Sequence, residues 1–253
     1  MPITRTFLDW DRPALIATVE YLLHRYRRSN VLDLRNAVLV LPGGRAGRKL
    51  TEILVERAEQ QSLVLFPPHL CTVGTLPELL YASKRPFASD LLQQLVWVRA
   101  LKQVDRDRCR DVVPQLPSDD DFANWMELGG LFKRQHRELA ADALNFEQVA
   151  QKGASVPGFQ ESKRWELLSE IQSLYLLLLD ELGFWDLQTA RLFAIEHREC
   201  RTEKEIILIG TIDMNMATRR MLDQVADRVT ALVHAPEVLA DRFDSHGCLN
   251  SDA

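Results

Sequence analysis

The stretch with the most chemical promise runs Leu41-Pro42-Gly43-Gly44-Arg45-Ala46-Gly47-Arg48-Lys49-Leu50-Thr51, directly after an apolar run. A glycine turn feeding a helix is a ready phosphate cradle, because free backbone N–H groups and the positive end of the helix dipole converge there. As a nucleotide loop of the GxxxxGK[ST] type it fails on spacing. Gly43 to Gly47 is one residue too short, Arg48 intrudes before Lys49, and Leu50 follows the lysine, so no hydroxyl is placed to hold magnesium. What survives is Gly43 and Gly44, then Arg45, Arg48 and Lys49 at i, i+3 and i+4 on one helix face. Such a face can contact a phosphate backbone or simply stand in water.

A second test falls on the run Ile206 to Ile209. Nucleotide hydrolases close such a strand with a carboxylate that holds magnesium, often beside a glutamate that polarises water. Here Gly210 and Thr211 stand in that place, and Asp213 lies farther on, expected in the loop or capping the next helix. With both elements missing, neither ATP hydrolysis nor a bound cofactor is expected.

Other candidates read as structural. His69 and Cys71 flank a turn without a partner that would orient a base. Asp119, Asp120 and Asp121 are consecutive, so on a helix they point in different directions and suit its N-terminal dipole better than a metal. Cys71, Cys109, Cys200 and Cys248 lack CxxC spacing and are expected as reduced thiols, mostly buried. Trp97, Trp125, Trp165 and Trp185 have the chemistry to stack on bases, but most are expected in the core.

The elements that must position these residues follow from hydrophobic patterning. Continuous apolar runs predict buried strands at Ala37–Leu41, Leu63–Phe66, Ile206–Ile209 and Val229–Val233, with a short extended piece at Cys71–Val73. Helices are predicted over Pro13–Tyr26, Arg45–Gln60 and Met216–Asp227. From Ala88 to Cys200 the pattern is helical throughout: Asp90–Val104, Ser118–Leu139, Phe146–Gln151, Ser162–Leu182 and Asp186–His197, with Ser118 and Ser162 as N-caps. The segments Arg108–Pro117 and Gly153–Gly158 read as loops. The expected architecture is α/β, a three-layer RecA/P-loop-like parallel sheet formed by residues 1–88 and 200–253, with residues 89–199 a large all-helical insertion.

The 253 residues are 46% hydrophobic and 26% charged, ample for a packed core. A net charge of -5 gives no global attraction to nucleic acid, so any such contact must come from a local patch. No secretory leader pattern stands at the start, and the longest uncharged apolar run, Leu174–Leu179, cannot span a bilayer. A cytoplasmic protein without a membrane partner is expected.

Three stretches carry a family resemblance. Val38 to Arg48, with its strand, proline and Arg45-Ala46-Gly47-Arg48, and then Pro68-His69-Leu70-Cys71-Thr72-Val73-Gly74-Thr75-Leu76, resemble AddB-type subunits of helicase–nucleases. Those subunits show "RAxR" and "P-x-I-x-T-L-x-x-L" after a strand. Ile206 to Pro236 resembles the UvrD/RecB-type segment around "DExQD", with Gly210-Thr211 replacing the acidic pair and Asp213 near its last aspartate. The resemblance implies an inactivated helicase-like domain in DNA repair and recombination, part of a longer PD-(D/E)XK nuclease-family protein. It implies single-stranded DNA and an AddA-type helicase–nuclease subunit as partners. Phosphate or DNA contacts would fall on Gly43, Gly44, Arg45, Arg48, Lys49, Thr72 and Thr75. The competing reading is an α/β enzyme acting on a phosphorylated small molecule or nucleotide held at Gly43 and Gly44.

Overall fold

A computed structural model describes residues 2–250. In chain order it runs β1 (Thr4–Phe7), α1 (Ala14–Tyr26), β2 (Arg27–Arg28), β3 (Val31–Asp33), β4 (Ala37–Leu41), α2 (Gly44–Gln60), β5 (Val64–Phe66) and β6 (His69–Thr72). A helical stretch follows: α3 (Asp90–Gln103), α4 (Arg106–Cys109), α5 (Phe122–Ala141), α6 (Phe146–Gly153), α7 (Ser162–Glu181) and α8 (Leu187–Glu196). The chain then returns through β7 (Glu205–Ile209), α9 (Met216–Asp223) and β8 (Val229–Val233). It divides into two compact units, residues 1–82 with 197–253, and residues 83–196.

The first unit is α/β. Its main sheet has five strands in the order β1-β8-β7-β4-β6, every neighbouring pair parallel. Alternate residues of the central strands point to opposite faces. On one face Leu39, Leu41, Ile207, Ile209 and Leu232 pack with Val19 and Leu22 of α1 and Leu50 and Leu54 of α2. The residues between them, among them Val38, Val40, Ile206 and Leu208, are equally buried, so the sheet is covered on both sides. That double burial is why the strands read as unbroken apolar runs. On the second face Gly247 lies so close to the sheet that a Cβ there would meet Ala231 and Val233 at 2.9 and 3.0 Å.

Two strand expectations need correction. The first parallel strand is β1, not Ala37–Leu41; it pairs along its length with β8, Thr4 opposite Thr230 and Phe7 opposite Val233. As an edge strand with Arg5 exposed, its Thr-Arg-Thr-Phe sequence has none of the apolar density that marks a central strand. The run Leu63–Phe66 does form a strand, β5, but in a separate three-stranded sheet, parallel to β3, which is itself antiparallel to β2.

The second unit is built of helices, with one isolated parallel bridge between Phe87 and Trp185, and has a core around Trp97, Phe132, Phe146, Ile171 and Tyr175. Trp97 stacks on Tyr175 with ring centroids 4.0 Å apart and planes 9° from parallel. Helices α3 and α5 meet at glycines: a Cβ on Gly129 would lie 2.7 Å from the carbonyl oxygen of Gln94. The predicted caps move. Helix α5 begins at Phe122, capped by the Asp121 carboxylate accepting from Asn124 N, whereas Ser118 uses its carbonyl to accept the Trp125 indole N–H at 2.9 Å. Ser162 is the first helical residue of α7 rather than its cap, and the cap position, Glu161, makes no side-chain cap hydrogen bond. The expected loop at Arg108–Pro117 begins inside the short helix α4, which Asp105 caps. No helix among the described residues is long and apolar enough to cross a membrane.

Candidate functional site at the carboxyl edge of the sheet

Strand order locates the switch point of the sheet. Helix α2 links β4 to β6 and α9 links β7 to β8, and these two steps move in opposite directions from the adjacent strands β4 and β7. Right-handed crossovers then place α2 and α9 on opposite faces. The switch point therefore lies between the carboxyl ends of β4 and β7, where open parallel sheets bind ligands. Pro42, Gly43 and Gly44 stand on one side and Gly210, Thr211, Ile212 and Asp213 on the other. Thr72 pairs in register with Leu41, which puts Thr72–Thr75 at the same edge, one strand outward.

Each of these residues has a definite local role. Gly43 occupies the N-cap position of α2 in an extended conformation, and no side chain caps the helix, which leaves its first turn open to an external acceptor. Arg45, Arg48 and Lys49 are exposed. Lys49 is tied to Glu52 at 2.7 Å, and that carboxylate raises its pKa. Among the described residues Arg45 and Arg48 have no acidic partner, and the Arg48 guanidinium folds back to within 3.9 Å of a Cβ placed on Gly44. Two unneutralised cations thus sit at the positive end of a helix dipole, an arrangement unfavourable unless an anion joins them.

Thr72 and Thr75 close a turn on themselves. The hydroxyls are 3.2 Å apart, and that of Thr75 accepts from Thr72 N at 3.1 Å. Gly210 has φ +59°, a left-handed conformation in which its hydrogen replaces a side chain. Thr211 is buried, its carbonyl accepting from the Cys248 thiol at 3.1 Å. Asp213 is exposed in the loop; the cap of α9 is Asn215, whose side chain accepts from Thr218 N at 2.9 Å.

The β1 side of this edge has no signature in the sequence. Leu8 N donates to Val233 O at 2.7 Å, continuing the ladder, and the Trp10 indole donates to His234 O at 2.8 Å. The His234 ring stands between Thr18 Oγ1, 3.4 Å from its Nε2, and Gly210, and burial pushes its pKa down.

The helical unit holds a polar network that sequence patterning also does not reveal. Asp186, fully buried, accepts from Tyr175 OH at 2.7 Å and Thr189 N at 2.6 Å, and lies 3.2 Å from His136 Nε2. The opposite ring nitrogen meets the Gln172 amide at 2.8 Å. Tyr175, His136, Gln172 and Asp186 are all buried and join α5, α7 and the start of α8; their role is to fix helix packing. Trp97 and Trp125 are buried, and Trp165 and Trp185 half-buried, in the same unit.

One cleft of the α/β unit, of about 390 Å³, lies elsewhere, lined by Asn36, Val38, His69, Leu79, Lys204 and Ile206. Leu79 apart, these residues mark the amino ends of β4, β6 and β7, away from the switch point, so topology rather than concavity identifies the site. Among the described residues no cluster of three His, Cys, Asp or Glu side chains is arranged to hold a metal. No family model matches the chain, and no curated protein is significantly similar to it in sequence.

Proposed function

We propose that the chain is a RecA-like, helicase-derived domain that has lost nucleotide hydrolysis and grips single-stranded DNA, within an AddB-type subunit that pairs with an AddA-type helicase–nuclease. The carrying observation is the pair Arg45 and Arg48, without acidic partners among the described residues at the switch-point edge, while Gly210 with its positive φ stands where the resemblance would put a catalytic acid. Cations without the magnesium-holding carboxylate suit a phosphate backbone that is held rather than a phosphoryl group that is transferred.

The test is fluorescence anisotropy with a labelled single-stranded oligonucleotide across a salt series. Binding that weakens with salt is expected, and Arg45→Ala with Arg48→Ala should flatten the log–log salt slope by about 0.7 for each phosphate no longer neutralised. Absence of binding at low salt would sink the DNA reading. Calorimetry with Mg-ATP should show no heat, and a sugar phosphate should not raise Tm; stabilisation by the latter would favour small-molecule chemistry instead.

A further inference from the structure

Of the chain's five tryptophans only Trp10 stands in solvent, 65% exposed. It is nonetheless fixed. Its indole N–H is spent on His234 O and its backbone N–H on the Asp9 carboxylate at 2.7 Å. A flat ring held in place with no donor left to offer is a stacking surface.

Its position relates it to the arginines. Trp10 follows β1, three strand spacings from β4, or about 14 Å across the same carboxyl edge. Ile212, 62% exposed, projects from the end of β7 between them. Charge divides along this line. Arg45 and Arg48 lie at the β4 end, whereas Asp9 and Asp213, neither with a cationic partner among the described residues, lie at the β1 and β7 ends. Carboxylates repel phosphate but accept hydrogen bonds from the exocyclic amino groups of bases.

We propose that a single strand crosses the carboxyl edge of the sheet with its phosphates at Arg45 and Arg48 and an unstacked base on Trp10. This rests on the DNA reading above and assigns it an orientation: backbone toward β4, bases toward β1. The test uses the full chain, a mixed-sequence oligonucleotide and a fully abasic strand of equal length. Trp10→Ala should weaken binding of the base-bearing strand about 5- to 100-fold with an unchanged salt slope, and Trp10→Phe should keep most of the affinity. The abasic strand should bind wild type and Trp10→Ala alike. If Trp10→Ala, folded by circular dichroism, binds the base-bearing strand as wild type does while the arginine variants lose binding, the base site is wrong and the DNA reading stands. If wild type binds neither strand, both fall.

Discussion

The side-chain amide of Gln172 decides which ring nitrogen of His136 carries the proton. Phe146 N donates to Gln172 Oε1 at 3.1 Å, which fixes the amide's orientation and turns its NH₂ toward His136 Nδ1, 2.8 Å away. An amide nitrogen only donates, so when the ring is neutral Nδ1 is the acceptor and the proton sits on Nε2, 3.2 Å from Asp186 without an aligned hydrogen bond to it. Long-range ¹H–¹⁵N spectra at pH 7 should show the Nε2–H tautomer. A ring protonated at Nδ1 would contradict the arrangement.

Asp186 is the buried carboxylate that this ring faces. Burial alone would raise its carboxyl, but His136, the Thr189 amide and the Tyr175 hydroxyl outweigh it and hold the group below its ordinary value of 3.8. A carboxyl depressed in the folded state contributes stability that is complete above its unfolded value and drains away as pH falls beneath it. Asp186→Ala should cost about 3–5 kcal/mol in urea unfolding at pH 7. The gap between variant and wild type should narrow below pH 4; a gap that stays constant would remove Asp186 from the acid response.

Neighbouring glycines in α5 should respond oppositely to the same change. At Gly129 a Cβ meets backbone, the Gln94 carbonyl oxygen at 2.7 Å, so Gly129→Ala must part α3 from α5 and should cost about 1–3 kcal/mol. At Gly130 the nearest atom is Gln94 Nε2 at 2.9 Å, the far end of a flexible side chain. Gly130→Ala should therefore be neutral or stabilise by up to about 1 kcal/mol through helix propensity. Thermal melts of both variants decide it; equal losses would refute the crossing geometry.

Gly210→Ala should cost about 1–2 kcal/mol, because its φ of +59° brings a Cβ against the following carbonyl. Unchanged stability in a denaturant titration would mean that the turn is not held left-handed, and that glycine there is no bar to a carboxylate.

The legible parts of the fold are those whose physics is local. Residues buried on both faces, such as Val38–Leu41 and Ile206–Ile209, announce themselves as apolar runs, and α2 announces itself through Leu50 and Leu54 at helical spacing. Edge strand β1 does not, since half its surroundings are solvent and Thr and Arg serve there. The Asp186 network is hidden for another reason: His136, Gln172 and Asp186 meet only after three helices pack. Gly43, Gly44 and Gly210 are legible by type, but that they flank one switch point follows only from strand order. Trp10 is inconspicuous because an aromatic beside two aspartates looks like an ordinary turn.

The pairing of Thr4 with Thr230 carries a consequence for how the protein is made. Translation proceeds at roughly 5–20 residues per second, so β1 emerges on the order of ten seconds before β8, its sole neighbour in the sheet among the described residues, exists. In that interval the helical unit is complete, while β1 has nothing to join. A run of Val and Ile would spend those seconds as an aggregation hazard. Thr4, Arg5 and Thr6 are polar and can stay hydrated through them. The composition that conceals this strand is also what suits it to wait.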